Sequence, residues 1–125
     1  MQNRPTAAEL LRDVADLLEG DVLAAVSGPL QHQVRVAGNL VRIVQREVEL
    51  GREANFRERA LVGDLLGGEG TTAELNAELA ARLRANDDSA FAHAAWPVLV
   101  AVTLDKLAID KPGHDSYDFA GEQLD

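Results

Sequence analysis

The chain has 125 residues, no cysteine, and a formal charge of -9 from 21 acidic and 12 basic side chains. A single domain of this length buries about two-thirds of its unfolded surface, enough for a core without metal or disulfide support. The missing thiols exclude cysteine chemistry and thiolate metal sites, and the acidic balance argues against a general nucleic-acid binder, which needs a basic field.

The first residues, Met1-Gln2-Asn3-Arg4-Pro5, lack the apolar core of a signal peptide. With the absence of cysteine this fits a cytoplasmic protein. Thr6-Ala7-Ala8-Glu9 has the pattern of a capping box, an N-cap threonine with glutamate three positions on. Leu10, Leu11, Val14, Leu17 and Leu18 follow at helical spacing. Gly20 weakens this helix. It either ends there or continues less stably through Val22, Leu23 and Val26. Ser27-Gly28-Pro29 marks a turn, with proline suited to the first turn of the next helix.

The second helix is predicted from Pro29 to Leu50, with Gly51 as its C-terminal stop. One apolar row is Leu30, Val34, Ala37, Val41, Val44 and Val48, and a second is Val36, Leu40 and Ile43. Together they cover about half the helix circumference, so this helix is expected to lie centrally between at least two neighbours. A shorter charged helix is predicted over 52–66, closed by Gly67-Gly68-Glu69-Gly70. Thr71-Thr72-Ala73-Glu74 is a second capping box, and Leu75, Leu79 and Leu83 form the inner row of the helix it opens. Asn86-Asp87-Asp88-Ser89 ends that helix and caps the last one, which reaches about Ile109.

The uncharged run from Ala90 to Leu104 falls short of the ~20 residues of a membrane span and reads as a buried helix. Pro97 inside it predicts a kink near His93–Trp96, or two helices meeting there. The expected fold is therefore all-α: an up-and-down bundle of four or five helices over residues 1–112, followed by an acidic tail over 113–125. Tyr117 and Phe119 in that tail are able to dock on a surface.

Charge distribution singles out one face. Between Val22 and Arg46 the chain has no aspartate or glutamate. His32, Arg35, Asn39, Arg42 and Arg46 share one side of the second helix. Arg42 and Arg46 stand one turn apart and repel unless an anion or carboxylate lies between them. Arginine suits phosphate and carboxylate because its planar fork makes paired hydrogen bonds. This is a candidate partner- or anion-binding face. The plainer account is neutralisation by acidic side chains of neighbouring helices, such as Asp13, Asp16, Glu74 or Glu78, and their abundance favours it.

Little else carries chemistry. His32, His93 and His114 have no histidine or cysteine at ligand spacing, so no metal site is expected. Asp87 and Asp88 read as capping residues, and Asp105 and Asp110 as surface charges. The Gly67–Gly70 loop lacks the preceding strand and the lysine-serine or lysine-threonine ending of a phosphate loop. No nucleophile elbow and no carboxylate pair at catalytic spacing appears. No catalytic residue and no cofactor is expected.

Three segments resemble a family of small uncharacterised helical proteins: Arg4-Pro5-Thr6-Ala7-Ala8-Glu9-Leu10-Leu11, then His32-Gln33-Val34-Arg35-Val36-Ala37-Gly38-Asn39 with Arg46-Glu47, and Lys106-Leu107-Ala108-Ile109-Asp110-Lys111-Pro112. Such proteins tend to be encoded beside aminoglycoside-phosphotransferase-like kinases and acyl-CoA dehydrogenases. Some are similar to the small subunit that accompanies a 4-hydroxyacyl-CoA kinase. The resemblance implies a non-catalytic accessory subunit of such a kinase, with His32, Arg35 and Asn39 as contact residues and an acyl-CoA dehydrogenase as a further associate. Two other readings stand beside it. One is a binding module for a phosphorylated or CoA-linked small molecule, its pocket closed by His93 and Trp96. The other is an unrelated interaction protein that forms a homodimer through its tail.

Overall fold

Threonine caps decide where two of the helices begin. In the computed structural model, which describes residues 4–85 and 87–113, the Glu9 amide donates to the Thr6 hydroxyl at 3.2 Å. The Thr6 amide donates to the Glu9 carboxylate at 3.4 Å. This completed box opens α1 (Ala7–Leu17). Gly20 does not end the helix. Leu18–Val22 forms a π turn in which the Leu23 amide reaches back to the Leu18 carbonyl, and α2 (Leu23–Ala25) continues from it. Val26 is extended, and Gly28 at φ 64° supplies the left-handed residue that turns the chain.

α3 (Pro29–Leu66) is a single helix of 38 residues. The stop expected at Gly51 and the separate helix over 52–66 are therefore corrected. A lone helical glycine costs only about 1 kcal/mol relative to alanine. Beyond Gly51 the inward positions continue at helical spacing through Ala54, Glu58, Leu61, Val62 and Leu65, so the packing signal outlasts the weak point. The real stop is Gly67, at φ 72°. Its amide and that of Gly68 both donate to the Gly63 carbonyl, at 2.8 and 3.1 Å, and cap the last turn. Gly63 is tightly constrained here, because a Cβ on it would meet the Gly68 carbonyl oxygen at 3.0 Å.

The second capping box also forms. The Glu74 amide donates to the Thr71 hydroxyl and the Thr71 amide to the Glu74 carboxylate, at 3.1 and 2.9 Å. They open α4 (Thr72–Ala85). Asp88 accepts from the Phe91 amide at 3.0 Å and caps α5 (Ser89–Asp110). Asn86 and the tail from His114 onward, with Tyr117 and Phe119, lie outside the described residues. α5 runs through Pro97 without division into two helices.

The fold is all-α and falls in the helical-bundle class indicated by the sequence, with no strand among the described residues. The chain divides into two compact units. The first takes the chain up to Gly51 together with Ile109–Lys111, and the second takes Arg52–Ala108. In the second, Val62, Leu75, Leu79, Phe91 and Ala95 form the core, with Leu65, Leu66, Leu83, Val98 and Leu99 packed on it. The expected row Leu75, Leu79, Leu83 is thus the inward face of α4. Arg57 forks onto both oxygens of Asp105 at 2.9 and 3.0 Å. Asp105 is therefore a paired group between α3 and α5, where a plain surface charge was expected.

α5 is less enclosed than its composition suggests. It buries Phe91, Ala95 and Ile109, while Trp96 stays 53 % exposed. The expectation of a buried helix is corrected to one fully buried only at Phe91, Ala95 and Ile109, with residues 98–102 partly buried. Its 22 residues make it, by length and composition, long and apolar enough to cross a membrane, where the uncharged run alone was expected to fall short.

Candidate functional site

In the first unit, α1 lies against the opening half of α3 along a line of small and polar residues. Ala15 on α1 and Gly38 and Gln45 on α3 are buried there. Gly38 makes room for an acidic side chain to cross the helix, since a Cβ on it would come within 3.0 Å of Glu19 Cγ. Glu19 belongs to the π turn.

Arg42 is the centre of the contact. Its Nη2 donates to Asp16 at 2.6 Å and to Glu19 at 2.8 Å, and its Nε also reaches Glu19. Its Nη1 donates to Gln45 Oε1 at 3.3 Å, Gln45 donates to Glu49, and Arg12 closes the chain by donating to Glu49 at 3.1 Å. Hydrogen bonds that it donates to Glu19 first, then to Asp16, hold the Arg42 guanidinium more firmly protonated than a free arginine. The buried Gln45, 8 % exposed, is fully satisfied by this network.

Arg46, one turn on, faces elsewhere. Its Nε donates to the Ile109 carbonyl at 2.6 Å, at the C-terminal end of α5, where the helix dipole leaves negative partial charge. The repulsion between Arg42 and Arg46 is thus relieved by separate partners within the chain.

The cationic stripe therefore divides. Arg42 and Arg46 are engaged within the chain. His32, Arg35 and Asn39 are exposed and have no hydrogen-bond or ion-pair partner among the described residues. At i, i+3 and i+7 these three lie on one side of α3 and form a free polar edge. Of the acidic partners named from sequence, Asp16 is used. Glu19 was missed because Gly20 left open whether the helix ended or continued, so the acids around it had no fixed place. Gly38 was missed because a glycine inside a helix gives no sign of which side chain needs its space.

In the second unit, Ala92, His93 and Trp96 line an open cleft of about 260 Å³. A larger cleft of about 360 Å³ lies between Phe56, Arg59, Gly63 and the Gly68–Gly70 loop. The Arg82 guanidinium stacks 3.8 Å above the Phe91 ring. No cluster of histidine, aspartate and glutamate suited to a metal occurs among the described residues.

No curated protein and no solved structure matches the chain. The model of one protein family, DUF6285, described as a domain of unknown function, matches residues 24–114. That span holds the free edge of α3, the buried Gly38 and the whole of α4 and α5. Matched over well more than half its length, the chain belongs to the DUF6285 family.

Proposed function

We propose that this protein is a non-catalytic accessory subunit of an aminoglycoside-phosphotransferase-like kinase acting in acyl-CoA (hydroxy acid) catabolism. The observation that carries the reading is the free edge of His32, Arg35 and Asn39, inside the family-matched segment. A guanidinium left unpaired by its own chain, beside an imidazole and an amide, suits a carboxylate or phosphate group on another surface. The genomic company of the family that the sequence resembles supplies the identity of that surface, and an acyl-CoA dehydrogenase is the second expected associate.

Co-expression with the neighbouring kinase tests this. The two proteins co-purify, and the kinase phosphorylates a 4-hydroxyacyl-CoA faster with its small partner than without. Arg35→Glu lowers capture about tenfold by placing like charge in the contact, with helix content unchanged. A kinase equally active alone removes the accessory role. The small-molecule reading has less support, because its best anion ligand, Arg42, is already held by Asp16 and Glu19.

A further inference from the structure

The charged network of the first unit occupies only one flank of the α1–α3 pair. On α1, Arg12, Asp16 and Glu19 lie to one side of buried Ala15, and Val14 lies to the other. On α3, Arg42 and Glu49 lie to one side of buried Gln45, and Val44 lies to the other. The ion pairs Arg42–Asp16 and Arg12–Glu49 set the two helices antiparallel. Antiparallel neighbours keep these sides in register, so the polar residues gather on one flank and the aliphatic residues on the opposite one. That opposite flank presents Leu10, Val14 and Leu17 at i, i+4 and i+7, beside Leu40, Val44 and Val48 at i, i+4 and i+8. Each is between 47 and 55 % exposed.

This is more apolar surface than scattered exposure accounts for. The two rows alone leave roughly 500 Å² uncovered, near the top of the ~300–600 Å² range for the largest patch on a typical monomer. Half-buried Leu11, Leu18 and Val41 border the rows. With them the flank offers a large share of the ~800 Å² per partner of a stable interface. Two antiparallel helices with aliphatic rows along one flank are half the core of a four-helix bundle. The same flank on a second molecule supplies the other half, in a self-complementary two-fold contact.

We propose that the protein is a homodimer in which the aliphatic flanks of two α1–α3 pairs form a shared four-helix core. This interface is separate from the His32–Arg35–Asn39 edge and does not depend on the kinase reading. Because each chain carries -9, bringing two together is opposed by long-range repulsion that salt screens. Association therefore strengthens as ionic strength rises.

Sedimentation velocity of the full chain gives twice the 13.4 kDa chain mass, with a larger dimer fraction at high salt. The paired change Leu17→Glu with Val44→Glu yields a monomer of unchanged helix content, while Phe56→Ser in the second unit leaves the dimer intact. A monomer at all concentrations overturns the proposal, as does a folded paired variant that stays dimeric. Should the paired variant unfold, single cysteines decide, since the chain has none of its own. A short bis-maleimide then links Val44→Cys chains efficiently and Ala77→Cys chains poorly. Failure to link the former overturns the proposal.

Discussion

Arg42 shows how one side chain can be read correctly for its chemistry while only one of its two acidic partners, Asp16, is foreseen. Its charge and its place on an acid-free stretch were plain in the sequence. What it meets depends on Glu19 and Asp16 from a helix more than 20 positions earlier, which periodicity alone does not specify. The arginine side chain is 25 % exposed, and its partners Asp16 and Glu19 are 61 % and 43 % exposed. Solvent screening therefore keeps its contribution small. Arg42→Met should cost about 1 kcal/mol in urea denaturation, and the loss should shrink in concentrated salt. A loss unaffected by salt would mean that packing of the arginine stem, and not the ion pairs, holds α1 to α3. His32, Arg35 and Asn39 were legible as a set because their type and spacing alone place them on one outer side. Their freedom from partners was not legible, since it follows from where Glu19 and Ile109 direct the other two arginines.

At the scale of elements, local signals with a donor and an acceptor were the ones read well. Both threonine boxes and the aspartate cap of α5 are where their residue types put them. Glycine was read unevenly: the turn at Gly28 and the stop at Gly67 are where they were expected, but the same residue serves opposite ends. Gly51 sits inside α3 and only weakens it, whereas Gly63 is required by the turn at its end. Gly51→Ala should stabilise the protein by about 0.5–1 kcal/mol in thermal unfolding, since its Cβ displaces only the mobile end of Glu47. Gly63→Ala should destabilise it, because the Gly68 carbonyl is backbone and has little room to retreat. Equal effects of the two changes would contradict this reading of α3. The box at α4 also sets a pH dependence. Bonds from the Thr71 amide first, then its hydroxyl partnership, hold the Glu74 carboxyl below its ordinary value of 4.5. The folded form thus binds its proton less readily than the unfolded chain. Its stabilising contribution is complete above the ordinary value and is lost as pH falls through the lowered one. Glu74→Gln should remove that slope from an acid titration of stability, and a slope that persists would assign it to other carboxylates.

For the molecule as a whole, the sequence indicated one helical domain, and composition could not show that burial is divided unevenly between two compact units. The second unit owns a cluster of large buried side chains, Val62, Leu75, Leu79 and Phe91. The first buries Ala15 and Ile109 among its apolar residues while leaving Val14, Leu17 and Val44 about half exposed. Opening free energy follows buried apolar contact, so amide hydrogen exchange should be slowest around Val62, Leu75 and Leu79 and faster along α1. Leu79→Ala, which leaves a cavity in the larger core, should cost about 2–4 kcal/mol. A second chain covering the aliphatic flank adds contact to the first unit alone. Exchange along α1 and the Leu40–Val48 stretch should then slow as protein concentration rises, while exchange around Leu75 and Leu79 stays constant. If every helix instead exchanged at one common rate at all concentrations, the chain would open as a single cooperative body, and neither the uneven core nor the shared interface would stand.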